Sequence, residues 1–241
     1  FHPEETGKTP EARGDFGKRL AALADIYVGE GFGVVHRPNA SVVDAPRAAK
    51  VCCAGLLMKK EWQFLGERLA DPGRPFAAIS GGAKVSTKLG ILKNLLGKVD
   101  DLIIGGAMAN TFLLAQGHAI GASLAEPDLK AEAQGAMALD VGPRSVELFS
   151  KVLAAAKTIV WNGPMGLFEN PAFAAGSLNI CRAVAANANA VTIVGGGDTD
   201  AMVHAAGLVD KFSFISTGGG SFLEFLEGKD LPGLTALKEC A

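Results

Sequence analysis

The stretch PFAAISGG, Pro75 to Gly82, is a short apolar run that ends in two glycines. Four further runs follow the same pattern, and most of the five precede a segment with helical spacing. Continuous apolar strands that alternate with helices are typical of a parallel sheet whose strands are buried on both faces. The pattern therefore predicts an α/β fold. The further runs are DLIIGGAMA (Asp101 to Ala109), TIVWNGPMG (Thr158 to Gly166), VTIVGGGDT (Val191 to Thr199) and FSFISTGGG (Phe214 to Gly220).

The glycines of these runs fall where the strands are expected to end. In an open parallel sheet, ligands bind in the crevice outside the carboxyl ends of the strands, beside helix N-termini and their partial positive charge. One such glycine indicates only a tight turn, whereas five glycine-bearing loops at one edge indicate a site lined by backbone. We therefore expect the binding site at that edge of the sheet.

The composition excludes several other classes of protein. The 241 residues suffice for one large domain, or for one domain and part of another. Because 23 basic residues stand against 25 acidic ones, with one Tyr and two Trp, no broad basic or aromatic surface indicates a nucleic-acid partner. No apolar run reaches the about 18 to 20 residues of a membrane span, and the charged N-terminus is unlike a signal peptide. Since Phe1 is not a start methionine, we expect residues to be missing upstream.

The four cysteines, Cys52, Cys53, Cys181 and Cys240, form an adjacent pair and two distant singles. This spacing fits neither a CxxC metal or redox motif nor a disulfide framework. We therefore expect reduced thiols and a cytoplasmic protein.

Two lysines, Lys84 and Lys88, follow the glycine pair in GGAKVSTKLG. They are four residues apart, so in a helix they would lie on one face of its opening turns. Cations at a helix N-terminus oppose the helix dipole, and a bound anion would reverse that effect. Their position after the glycines favours anion binding over a solvated lysine face.

The segment VGGGDTDA places Gly195, Gly196 and Gly197 before Asp198 and Thr199. Glycine N–H groups at a helix N-terminus can hold a phosphate, and a carboxylate beside phosphates needs a Mg²⁺ ion between them. A simple helix N-cap explains Asp198 equally well. A dinucleotide fingerprint, as in an NAD-dependent oxidoreductase, fits poorly because Asp200 replaces its third glycine.

Three other loops carry candidate binding groups. In WNGPMGLFE, Glu169 could accept hydrogen bonds from ribose hydroxyls while Leu167 and Phe168 wall an adenine, although a turn with an exposed glutamate is equally compatible. STGGG offers further N–H donors at Gly218 to Gly220. Arg37 in HRPN is suited to carboxylate or phosphate binding, or is an ordinary surface arginine.

Taken together, GGAKVSTK, LIIGGAMANTFL, LDVGP, VWNGPMGLFE, TIVGGGDT and STGGG, with FHPEE and FGVVHR ahead of them, resemble the phosphoglycerate kinase family along nearly the whole chain. The resemblance implies a Rossmann-like, three-layer αβα domain that binds Mg²⁺ with ATP or ADP, and the remnant of a second α/β domain. It implies reversible phosphoryl transfer between 1,3-bisphosphoglycerate and ADP, giving 3-phosphoglycerate and ATP, by a cytoplasmic monomer.

The resemblance also assigns roles to single residues. Lys84, Arg37, Gly197 and Gly220 correspond to catalytic positions, with Lys84 neutralising the transferred phosphoryl group and Arg37 holding the acid substrate. Asp198 corresponds to the Mg²⁺ ligand. The nucleotide-binding positions correspond to Lys88, Gly105, Gly106, Asn162, Glu169, Gly196, Gly197, Asp198 and Thr199.

The domains expected from this resemblance are a remnant of the acid-substrate domain at 1–55, an interdomain helix at 56–70, a nucleotide-binding domain at 71–235 and a tail at 236–241. Within the first of these, FGKRLAALADIYV, Phe16 to Val28, is predicted to be helical.

The chain also departs from the family pattern. Most of the N-terminal domain and an internal segment near Glu132 to Gln134 are expected to be absent, and Phe222 replaces a smaller residue beside Gly220. A truncated, catalytically incomplete nucleotide-binding fragment is therefore the alternative to an active kinase.

Overall fold

The computed structural model describes residues 9–126 and 137–240. Within these ranges the chain divides into two compact units. The first consists of the described residues of Phe1–Asp71 and Thr217–Ala241, and the second is formed by Pro72–Ser216. None of the helices in the described ranges is long and apolar enough to cross a membrane.

The second unit is built on a parallel sheet of five strands in the order β4-β3-β5-β6-β7. All five glycine-ended runs contain one of these strands, which confirms the predicted α/β fold. The strands are β3 (Phe76–Ser80), β4 (Asp101–Ile104), β5 (Thr158–Asn162), β6 (Val191–Val194) and β7 (Phe214–Ile215).

Helices follow most of these strands, and both faces of the central strands are covered. Every residue of β3 and of β5 is buried, so side chains on both faces of the sheet are shielded from water. A core cluster on one face joins Ile79 and Trp161 to side chains from three of the helices, including Leu153, Ile180 and Met202. The helices of this unit are α4 (Leu89–Leu96), α5 (Met108–Ala115), α6 (Pro143–Ala155), α7 (Ala175–Ala186) and α8 (Gly197–Ala205), with 3₁₀ turns at Pro171–Phe173 and Val209–Lys211.

The first unit contains two parallel strands, β1 (Ile26–Gly29) and β2 (Val51–Ala54). The helix predicted over Phe16 to Val28 is wrong in its second half, because α1 ends at Ala21 and Ile26–Gly29 pairs with β2. The β-branched Ile26 and Val28 suit this pairing. The helices of this unit are α1 (Pro10–Ala21), α2 (Ala45–Ala48), α3 (Leu56–Trp62), α9 (Gly219–Leu226) and α10 (Pro232–Cys240), with a 3₁₀ turn at Phe32–Val34 and π-helical turns at Ala40–Asp44 and Gln63–Arg68.

Residues 217–241 pack with the first unit. The buried carboxylate of Glu61 accepts hydrogen bonds from the Thr217 backbone N–H at 2.7 Å and from its hydroxyl at 2.8 Å. Gly233 N–H donates to the Val35 carbonyl at 2.9 Å. These contacts join segments about 150 to 200 residues apart in sequence.

The expectation of four reduced thiols is wrong for one pair. Cys52 on β2 and Cys240 at the end of α10 form a disulfide, with their Cα atoms 6.0 Å apart and a sequence separation of 188. Cys53 and Cys181 are the free cysteines of the described residues. The spacing of the cysteines could not indicate this pair, because only the packing of the C-terminal segment onto β2 brings them together.

Candidate functional site

The side-chain ammonium of Lys88 lies between the ends of two strands. Its Nζ donates to the Gly81 carbonyl at 2.5 Å, to the Asn162 side-chain Oδ1 at 2.5 Å and to the Asn162 backbone carbonyl at 3.2 Å. Burial lowers the pKa of Lys88 to about 8, although the nearby Asp198 carboxylate partly offsets this effect. The Lys88 ammonium is therefore poorly hydrated, and oxygen acceptors of the two strand ends take the place of water around it.

Asn162 and Thr199 extend this network to a third strand end. Asn162 Nδ2 donates to the Gly195 carbonyl at 2.7 Å, and the Gly163 N–H donates to the Thr199 hydroxyl oxygen at 2.7 Å. The loops after β3, β5 and β6 are thus joined by hydrogen bonds around Lys88. The Thr199 side chain is fully buried within this network.

The glycines of these loops allow the close approach. Gly163 has a φ of +91°, and a Cβ atom there would lie against the Gly81 carbonyl and 2.6 Å from Lys88 Nζ. Gly196, with a φ of +100°, leads directly into α8, whose first residues are Gly197, Asp198 and Thr199. The first N–H groups of a helix have no partner within it, so this turn offers donors to an anion.

The spacing of Lys84 and Lys88 indicated that both lie on one face of a helix. The structure places both lysines before the first helical residue. Helix α4 begins only at Leu89, and residues 83–88 form a loop that we call the lysine loop. Lys88 is drawn inward by the carbonyls of the strand ends, whereas Lys84 remains exposed. The tertiary hydrogen bonds of Lys88 therefore override the helical periodicity.

Beside these loops lies a cavity of about 670 Å³ with a mainly apolar wall. This volume is in the range of small-molecule sites in proteins. Of the predicted residues, Gly106, Glu169, Leu167 and Asp198 line it. Phe168 instead packs against the core cluster. Gly105 and Gly106 are held against the loop after β5, where the Gly106 N–H donates to the Met165 carbonyl at 3.0 Å.

Arg37 and Gly220 belong to the first unit, whereas the other predicted site residues belong to the second. Arg37 is exposed, with its Nε 3.4 Å from His36 Nε2. The His36 ring packs against Gly220, and its Nδ1 lies 2.7 Å from the Ser221 hydroxyl at the start of α9. The bulky Phe222 is fully buried.

The sequence of this chain matches one protein family over most of its length. The phosphoglycerate kinase family model matches residues 1–138 and 128–229. The phosphoglycerate kinase of Maridesulfovibrio salexigens is 59% identical over 278 aligned positions, which cover 99% of this chain and 70% of that protein. The chain belongs to the phosphoglycerate kinase family.

Other relatives agree with this assignment. The phosphoglycerate kinase of Acidobacterium capsulatum is 47% identical, with 99% of this chain and 69% of that protein covered. The solved structure of phosphoglycerate kinase from Coxiella burnetii matches with a TM-score of 0.88 at 39% identity, over 99% of this chain and 71% of that one. The enzyme from Pyrococcus horikoshii matches with a TM-score of 0.84 at 28% identity and the same coverage. The function of the family is thus that of a glycolytic kinase.

The alignments also show that a relative has residues with no counterpart in this chain. The alignment with the Maridesulfovibrio protein is longer than the chain itself, so that protein has residues opposite gaps in this one. The two matched segments of the family model overlap at residues 128–138, near the expected junction at Glu132 to Gln134. That junction lies outside the described residues.

Sequence reasoning missed most of the cavity wall. Asn110, Phe112, Leu113 and Leu124 line it from α5 and the following loop, and Asp140 lines it from the LDVGP motif. Asp140 also accepts hydrogen bonds from the N–H groups of Val141 at 2.9 Å and Gly176 at 2.6 Å. The carboxylate of Asp140 was the signal in the sequence that could have indicated this part of the site. The apolar residues of α5 have the same pattern as residues of a hydrophobic core.

Proposed function

We propose that the second unit binds ADP or ATP with Mg²⁺, and that the acceptor of the phosphoryl group is the carboxyl group of 3-phosphoglycerate. The observation that carries this proposal is the joining of three strand-end loops around Lys88, next to the apolar cavity. An adenine fits the apolar wall, and Glu169 is available to the ribose hydroxyls. The phosphates would then extend toward the N-terminus of α8 and the lysine loop.

Asp198 fits a Mg²⁺ ion that is shared with phosphates. Within the described ranges, no group of three or more His, Cys, Asp or Glu side chains could hold a metal by itself. Mg²⁺ commonly takes one or two carboxylates and completes its shell with phosphate oxygens and water. The exposed Asp198, in the first turn of α8, suits that arrangement. The bound ion would neutralise charge on the phosphates.

Phosphoryl transfer needs alignment and charge compensation more than a covalent nucleophile. In the direction of ATP formation, an oxygen of the ADP β-phosphate forms a bond to the acyl phosphate phosphorus, and the bond from phosphorus to the carboxyl oxygen breaks. In the reverse direction the carboxyl group is the acceptor. The exposed ammonium of Lys84 would neutralise charge on the transferred group, while Arg37 would hold the acid substrate. Donor N–H groups at Gly197 and Gly220 would orient phosphate oxygens.

A nucleotide-binding fragment without turnover is the second candidate, because the chain spans about 70% of the length of its relatives. The formation of ATP from ADP and 1,3-bisphosphoglycerate distinguishes the two. Turnover supports the complete kinase, whereas ADP binding without turnover supports the fragment. A monomeric, cytoplasmic state is part of the same proposal and rests on the family resemblance.

Calorimetric titration tests the nucleotide site directly. With Mg²⁺ present we expect ADP to bind and NADH to give no saturable heat, because the glycine loops hold phosphates beside a lysine and lack the dinucleotide fingerprint. Binding of NADH without binding of ADP would overturn the proposed function.

We expect ADP affinity to fall above pH 8. The Lys88 pKa of about 8 means that its ammonium loses its proton in this range, and a bound phosphate loses a positive partner. Between pH 7 and pH 9 the dissociation constant should rise about tenfold, since an affinity that requires one protonated group changes by one decade per pH unit above its pKa. Titrations at several pH values measure this rise.

The free energy of unfolding of the nucleotide-free chain should rise with pH in the range where the ADP affinity falls. Lys88 has a lower pKa in the folded than in the unfolded state, so the unfolded state binds more protons between about pH 8 and the ordinary lysine value of 10.5. The contribution of this residue to stability therefore rises with pH in that window and is constant below it. The variant Lys88→Met should show neither the fall of ADP affinity nor the rise of stability with pH. If both pH dependences persist in this variant, other groups cause them.

A further inference from the structure

A carboxylate from a distant loop holds the lysine loop in place. Glu126 Oε2 accepts from the Ser86 backbone N–H at 2.9 Å, and its Oε1 accepts from the Ser86 hydroxyl at 2.7 Å. The two residues are 40 positions apart in sequence. Because both carboxylate oxygens are engaged by one residue, the orientation of Glu126 and the path of the loop fix each other.

The other hydrogen bonds of residues 83–87 are local to the lysine loop. The Thr87 hydroxyl donates to the Lys84 carbonyl at 3.0 Å, and the Lys88 N–H donates to the Val85 carbonyl at 2.9 Å. Within the described ranges, Glu126 is the residue that ties these positions to another segment through hydrogen bonds. The exposed Lys84 therefore depends on Glu126 for a defined backbone position.

Glu126 is itself anchored to the wall of the cavity. Its backbone N–H donates to the Thr111 hydroxyl at 2.9 Å, and Asn110 Nδ2 donates to the Leu124 carbonyl at 3.2 Å. Asn110 and Leu124 both line the cavity. A continuous set of contacts thus runs from α5 and the cavity wall through Glu126 to Ser86.

The charges in this contact favour an ionised carboxylate. The hydrogen bonds from Ser86 hold the pKa of Glu126 below its ordinary value, and the positive charge of Lys84 adds to the effect. Glu126 is therefore negatively charged at neutral pH and attracts the lysine loop.

We infer that Glu126 is a positioning residue, which holds the lysine loop so that Lys84 meets the terminal phosphate of a nucleotide whose base occupies the cavity. This inference rests on the proposed function for the identity of the ligand. It assigns to Glu126 a role that acts through Ser86 and Lys84 and involves no direct contact with the nucleotide.

Hydrogen exchange of the nucleotide-free chain tests the structural part. In Glu126→Gln the amide oxygen can still accept from the Ser86 N–H and the NH₂ can donate to the Ser86 hydroxyl, so the substitution removes the negative charge that strengthens both bonds, with little change of volume. We expect the amides of residues 85–88 to exchange about tenfold faster, because hydrogen bonds to a neutral amide are roughly half as strong as those to a carboxylate. The matched control is Glu147→Gln, which removes an exposed carboxylate paired with Lys151 on α6. Unchanged exchange at residues 85–88 in Glu126→Gln would overturn the inference.

Titration with two ligands tests the link to the nucleotide. We expect Glu126→Gln to weaken MgATP binding about fivefold or more and to leave adenosine binding within about twofold, since only the phosphates reach the lysine loop. An equal loss for both ligands would overturn the inference, because Glu126 would then act on the cavity alone. If the wild-type chain binds neither ligand, the proposed function fails, whereas the exchange experiment still decides whether Glu126 holds the loop.

Discussion

Replacement of Lys84 by alanine is expected to lower the turnover number for ATP formation by about 10² to 10⁴ while ADP affinity changes by less than about threefold. ADP lacks the transferred phosphoryl group, so removal of the cation that neutralises this group lowers kcat much more than it weakens ADP binding. Lys84 is exposed, and within the described ranges its ammonium makes no hydrogen bond to the rest of the chain. Only its backbone carbonyl is engaged, by the Thr87 hydroxyl. It is therefore free to meet a phosphoryl group in transit.

The matched control for this prediction is Lys93→Ala. Lys93 is an exposed lysine in the last turn of α4, so its removal changes the net charge equally. A coupled assay for ATP formation measures turnover, and calorimetry measures ADP affinity. Equal turnover in Lys84→Ala and the wild type would remove Lys84 from the mechanism.

Replacement of Gly163 by alanine is expected to destabilise the second unit by about 3 kcal/mol or more and to weaken ADP binding. The φ of +91° costs an L-residue about 1 to 2 kcal/mol by itself. The new Cβ would also press against the Gly81 carbonyl and Lys88 Nζ, so the hydrogen bonds around Lys88 would have to move. Misplaced atoms in a tightly packed site typically cost another 1 to 3 kcal/mol, which gives the roughly 3 kcal/mol expected in total.

Gly117→Ala separates the backbone effect from the contact effect. Gly117 has a similar φ of +85°, but a Cβ atom there meets nothing within 4 Å. Chemical denaturation of both variants gives the two free energies of unfolding, and titration gives the two ADP affinities. If Gly163→Ala and Gly117→Ala lose the same stability and bind ADP equally, the close packing of Gly163 around Lys88 has no energetic role.

The sequence located the edge of the sheet that carries the candidate site. Each of the five apolar runs became a parallel strand, and the loops with Gly81, Asn162 and Gly195 lie together because parallel strands present their carboxyl ends at one edge. This much follows from residue order and local chemistry. The cavity wall on α5 was missed because apolar helical residues give the same pattern in a core and in a binding site.

The sequence by itself thus determined the α/β fold, the membership of the phosphoglycerate kinase family and the strand-end loops around which we propose the site. Only the tertiary structure decided that the half-buried Lys88 donates to carbonyl oxygens, that Glu126 holds Ser86, and that Cys52 pairs with Cys240. The reason is physical: strand and turn preferences depend on neighbouring residues, whereas these three contacts join side chains to groups that are distant in sequence and meet only after the strands and helices have packed.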